Sequence, residues 1–146
     1  MSSFHDTVRE AIYSTIVSTG AAPSAADVAG LHGADIRDVE AAFRALADGH
    51  VIVLHPATHD IAWAPPFSAV PTRYRVRIAG TTWHAPCAWD AFGIPAALHA
   101  DAVVEATCAW SDEALDCGVV NGRASGHGVI HLLVPAAHFW DDIFFT

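Results

Sequence analysis

At 146 residues, with 53% hydrophobic and only 16% charged residues, the chain has material for one well-packed domain or two small lobes sharing a core. No apolar run reaches the roughly 18 residues needed to cross a bilayer, and the polar start MSSFHDTVRE has no apolar signal core, so a cytoplasmic protein is expected. Seven Lys+Arg against 16 Asp+Glu leave a formal net charge of -9, which repels nucleic acid and anionic membrane and speaks against either as a partner.

In chain order, the helical spacing of Val8, Ile12 and Ile16 predicts a first helix that stops at Gly20. Ser24 with Asp27 three residues on is a capping-box start for a second. A third sets Ile36, Val39, Ala42, Phe43 and Leu46 on one face, between Asp35 as N-cap and Gly49 as C-cap. VIVLHPATHDIAWA then reads as a hairpin. Three short helices and a hairpin make the winged-helix pattern, whose third helix needs basic side chains to enter a DNA groove. Here Arg37 and Arg44 stand against Asp35, Asp38, Glu40 and Asp48, so a structural or dimerising lobe fits better than DNA binding.

The proline-rich stretch PPFSAVPT, residues 65–72, is the natural connector, giving a lobe over 1–64 and a second over 65–146. The second lobe opens with strand, glycine turn and strand in RYRVRIAGTTWHA. Alternation places Arg73, Arg75 and Arg77 on one solvated strand face. Residues 87 to about 98 are expected to be helical. AVVEATCAW and CGVVNG read as strands, GVIHLLVP as a strong buried strand, and AAHFWDDIFFT as a short amphipathic helix or the start of a further element. The fold class expected is α+β, a helical lobe beside a mixed, mainly antiparallel sheet.

Cys87, Cys108 and Cys117 are an odd number without CxxC spacing, so free thiols are expected rather than disulfides or a zinc ribbon. The stretch PCAWDAFGIP, residues 86–95, carries the chemistry. A cysteine opening a helix sits near unpaired N–H groups and the positive end of the dipole, which favour thiolate. Asp90 falls on the same helical face and can move a proton, while a carboxylate beside a thiolate raises both pKa values. A thiolate suits soft metals such as mercury or copper(I). An ordinary capped helix start with a small buried cysteine fits the same spacing, and on spacing alone it is the simpler reading. Trp83 and Trp89 bracket the cysteine, either excluding water or forming plain core, and His84 stands at the edge of the site. His127, His131 and His138 make no pair with standard zinc spacing.

The wider text, FSAVPT followed by WHAPCAWDAFGIPA, then ATC at Cys108, HLLVP and HFWDDIFFT, resembles the alkylmercury lyase (organomercurial lyase) family over nearly the whole chain. The resemblance implies cleavage of carbon–mercury bonds by protonolysis, with no cofactor required and mercuric ion as the bound product. It implies an organomercurial small molecule as substrate and small thiols as partners. It makes Cys87 the thiolate that captures mercury, Asp90 the carboxylate that handles the proton, both of them residues of the mercury site, and Cys108 a buried structural cysteine. It also places a second catalytic cysteine just after a DDI-x-F-T segment. Here that segment ends at Thr146, so the expectation is a chain truncated before that cysteine or one without it. Cys117 matches no family catalytic position. It becomes a second mercury ligand only if the fold brings it close to Cys87, and a loop or strand-edge thiol is the simpler reading. The alternatives are a soft-metal or thiol-binding homologue without turnover, and a winged-helix transcriptional regulator.

Overall fold

The structure, a computed structural model, describes residues 3–145. The last residue of the expected tail element, Thr146, and the first two of the polar start lie outside the described residues. Helices α1 (Phe4–Thr19), α2 (Ala25–His32) and α3 (Ile36–Asp48) come first. They form where the sequence supplies caps. Ser3 with Asp6 and Ser24 with Asp27 close reciprocal capping boxes, and the Asp35 carboxylate accepts from the Arg37 N–H at 2.9 Å. Gly20 ends α1 in the left-handed region at φ 78°, where a side chain would also press on the Thr82 carbonyl.

Eight strands follow: β1 (Val53–Leu54), β2 (Ile61–Ala64), β3 (Phe67–Ser68), β4 (Arg75–Ile78), β5 (Thr81–His84), β6 (Ala102–Thr107), β7 (Ala114–Val120) and β8 (Arg123–Gly126). Helix α4 (Ala88–Leu98) lies between β5 and β6 in the chain. The strands form one sheet in the order β1-β2-β3-β5-β4-β6-β7-β8, antiparallel at every described pairing. The architecture is α+β, as expected. Two strands escaped the sequence reading. Strand β3 is two residues inside the proline-rich connector, and it joins β2 to β5 so that the sheet runs on through residue 65. Strand β8 is a short polar run, Arg123–Gly126, without an apolar pattern.

The register assigns the two sheet faces. Trp83, Val76, Val104, Cys117 and Gly126 are successive cross-strand partners and therefore share one face. That face is covered. Ile12 and Ile16 of α1, Phe43 of α3, Ile94 of α4 and Val76, Trp83 and Val104 of the sheet belong to one buried cluster. The Trp83 indole N–H donates to the Ile16 carbonyl at 2.8 Å and ties the end of α1 to β5. The opposite face is solvated. Arg75 and Arg77 flank Glu105 at 3.3 and 3.1 Å, which satisfies the alternating arginines as a surface feature. Arg73 is exposed just before β4.

Two expectations fail in the last third. GVIHLLVP is not a buried strand: residues 127–134 lack strand pairing, Val129 is 93% and Leu133 70% exposed. Apolar composition predicts burial only when a partner strand is available to share the ladder, and β8 pairs with β7 on its one described side. The tail is not an amphipathic helix either. It makes a single 3₁₀ turn, Ala136–His138, followed by turns whose aromatic rings dock on the N-terminal half. Trp140 stacks on His50 at 4.1 Å between ring centres, and Phe144 packs on Trp63 at 4.9 Å. Among the described residues no helix is long and apolar enough to cross a membrane.

Candidate active site

Cys87 is presented by the strand-to-helix junction after β5. Ala85 is fully buried, its N–H donates to the Tyr74 carbonyl at 3.0 Å, and its own carbonyl accepts from the Thr72 hydroxyl at 2.7 Å. With Ala85 anchored, Pro86 turns the chain and Cys87 takes the extended N-cap conformation of α4. Its carbonyl accepts the first helical bond, from the Ala91 N–H at 3.0 Å. Asp90, three residues on, swings its carboxylate back so that the Cys87 thiol donates to Oδ2 at 3.2 Å. The pair expected from the i, i+3 spacing is thus formed.

Its protonation differs from the simple helix-start expectation. Burial pushes the Cys87 thiol up to about 11, and the charge and hydrogen bond of Asp90 add to the rise. The backbone N–H groups of Asp90 and Trp89 do pull downward, as a helix N-terminus should, but they are outweighed. Burial also raises the Asp90 carboxyl above the usual carboxylate range, with the thiol hydrogen bond opposing it. The raised thiol keeps its proton on the Cys87 sulfur, which donates it toward Asp90 across the 3.2 Å bond.

The thiol opens on a cavity of about 670 Å³. Its floor is the covered sheet face, with Val104, Ala106, Leu115 and Cys117; Ala88, Ala91 and Phe92 of α4 form one side. The unpaired segment 127–134 and Phe139 form the roof. Gly126 directs that segment. At φ 98° it packs so closely on β7 that a Cβ would collide with the Asp116 carbonyl and the Cys117 Cα.

Cys117 lies on β7, half-buried, its thiol donating to the Val104 carbonyl at 3.5 Å. It lines the same cavity as Cys87, which the sequence left open. Burial, then the charge of Asp116, raises its thiol. Among the described residues, however, no group of three or more Cys, His, Asp or Glu is assembled for a metal ion. Cys108 is not the buried cysteine that was expected. It is half-exposed in the turn between β6 and β7, where its N–H donates to the Glu113 carbonyl at 2.8 Å. Hydrogen bonding from the Ser111 side chain, then from the Ser111 and Trp110 backbone, lowers its thiol below the ordinary range. The Ser111 hydroxyl, with the N–H groups of the turn, is the cause, and the isolated tripeptide ATC gives no sign of it.

Trp89 does not shield Cys87, being 67% exposed on the outer side of α4, whereas Trp83 is core. His84 is occupied structurally, its Nδ1 accepting the Thr72 N–H at 3.0 Å. His127 and His131 line the cavity roof, and His138 bonds Asp141 at 2.9 Å outside it.

The model of a family described as alkylmercury lyase matches residues 67–144, which contain Cys87, Asp90 and every described residue lining the cavity. Among solved structures, the crystal structure of the mercury-bound form of MerB2 superposes with a TM-score of 0.67 at 25% identity. The match covers 86% of this chain and 60% of that one, so the chain spans less than two thirds of that protein's length. No curated protein matches.

Proposed function

We propose that this chain, which belongs to the alkylmercury lyase family, cleaves the carbon–mercury bond of an organomercurial, with Cys87 as the capturing thiolate and Asp90 as the proton carrier. The observation that carries this reading is the 3.2 Å bond from the Cys87 thiol to Asp90 at the edge of a cavity whose described lining holds no Asp, Glu, Lys or Arg. When mercury, a soft cation, bonds to the sulfur, the thiol proton has an acceptor already in place on Asp90. The carboxyl so formed is neutral, which suits its raised pKa in a half-buried site. It then returns the proton to the carbon bound to mercury. The hydrocarbon leaves, the carboxylate is restored, and mercuric ion remains on the Cys87 sulfur. The balance is closed without oxidation: one thiol proton ends on carbon, and the electron pair of the carbon–mercury bond becomes the new carbon–hydrogen bond.

Small thiols collect the product by supplying a second sulfur to the two-coordinate ion, and Cys117, on the cavity floor, is a further candidate ligand. The chemistry uses no cofactor, and mercuric ion enters the scheme as product. The acidic surface, with a net charge of -9, and the pairing of Arg37 with Asp35 on α3 at 2.9 Å support a cytoplasmic enzyme that engages neither nucleic acid nor membrane. The test is turnover in deuterated water with a small thiol present. The expected product is hydrocarbon bearing a single deuterium at the former mercury-bound carbon. Stoichiometric capture of the organomercurial by Cys87 without hydrocarbon would make the chain a thiol trap instead.

A further inference from the structure

Ala88 and Ala91, the α4 residues beside the sulfur, are small, so the space next to Cys87 is left open by the protein. The cavity that results, about 670 Å³, lies within the range of about 300–1,000 Å³ of pockets that enclose whole small molecules. A methyl group would leave most of it to water held against apolar walls. Phe92, one turn along α4, and Leu115, on the floor strand, face this space together with Tyr74 and Phe139. None of the residues lining it is Asp, Glu, Lys or Arg. A charged group placed there would exchange its hydration for the hydroxyls of Thr107 and Ser125 and the imidazoles of His127 and His131, without a carboxylate, ammonium or guanidinium among the described lining residues.

We propose that the cavity selects organomercurials whose organic group is neutral, apolar and at least ring-sized, with Phe92 and Leu115 as the specificity-determining residues. This inference rests on the lyase reading above for the identity of the mercury-bearing ligand. The organic group extends from the mercury on Cys87 across Ala88 and Ala91 toward Phe92, over a floor made by Leu115 and Val104. Substrate choice then follows from area buried rather than from any polar contact.

The experiment measures partition of phenylmercuric, methylmercuric and carboxyphenylmercuric ions between the full chain and excess small thiol, with the partition on Cys87→Ser subtracted as the share held by Cys108 and Cys117. Competition against a thiol cancels the intrinsic mercury–sulfur affinity and leaves the contribution of the organic group. Phenyl is expected to be favoured over methyl by roughly tenfold or more, and over carboxyphenyl by a similar factor. Leu115→Ala and Phe92→Ala are each expected to lower the phenyl-to-methyl ratio severalfold, while Leu115→Met preserves it. Equal partition of all three ions, or a ratio unchanged in both alanine variants, overturns the proposal. If either alanine variant does not fold, the phenyl and carboxyphenyl comparison on the unmodified chain decides. Hydrocarbon release is recorded in the same samples. Selective partition without release removes the lyase reading and keeps the site; release through Cys87 with no selectivity does the reverse.

Discussion

Replacing Asp90 by Asn separates the two influences that hold the proton on Cys87. With its thiol pushed up to about 11 against an ordinary 9.0, Cys87 at pH 8 is ionised in roughly one molecule in a thousand, where an ordinary thiol is ionised in about one in ten. Alkylation by a small neutral reagent, which requires thiolate, is therefore expected to run roughly 100-fold slower at Cys87 than at an unperturbed thiol. In Asp90→Asn the carboxylate charge is gone while the burial of the sulfur remains. Since burial is the first cause of the shift, the variant's thiol is expected to fall part of the way, staying above 9.0. A fall of one unit raises the thiolate fraction about tenfold.

The assay is alkylation rate against pH with the modified cysteine identified by peptide mass, so that all three cysteines are followed separately. Cys108, whose thiol is lowered by its turn, is expected to react first and serves as an internal standard. A Cys87 that titrates at or below 9.0, or whose titration is the same in Asp90→Asn, would refute the assignment of its proton to this hydrogen-bonded pair.

Asp90→Asn should also report on stability. A carboxyl raised by burial favours the folded state below the unfolded pKa of 3.8, and that contribution is lost as pH rises through the folded value. Above the folded value the ionised carboxylate works against folding, so as pH rises the variant is expected to melt, by calorimetry, at the same temperature as the wild type or higher. Trp83→Phe removes the indole N–H from the Ile16 carbonyl inside the core and is expected to cost about 2 kcal/mol or more, read from denaturant unfolding. Gly126→Ala forces β8 away from β7 at Cys117; faster hydrogen exchange along the β7–β8 ladder is expected, and unchanged exchange there would show that Gly126 does not set this pairing.

The parts of this protein legible in the sequence are those governed by local rules. Ser24 with Asp27, Asp35, and Val39 with Phe43 fix helices through caps and a 3.6-residue period, and the Cys87–Asp90 pair follows from the same period. What stayed hidden depends on partners distant in the chain. Strand β3 is defined by β2 and β5 rather than by its own two residues, and GVIHLLVP lacks a described pairing partner despite its apolar run. The raised Cys87 thiol comes from burial by the folded sheet, and the lowered Cys108 thiol from the Ser111 side chain and the N–H groups of the turn that joins β6 to β7. That Cys117 shares a cavity with Cys87 is a consequence of register, since its strand partner Val104 lies on the face that α4 covers.

The central claim is that the thiol of Cys87 and the carboxylate of Asp90 act as one proton-transferring unit. Single-turnover hydrocarbon release from phenylmercuric ion, with excess small thiol, tests it most directly when wild type, Cys87→Ser and Asp90→Asn are compared. The account requires release by the wild type, loss of release in Cys87→Ser, and capture with release slowed at least 100-fold in Asp90→Asn. Release by Asp90→Asn at the wild-type rate would contradict it.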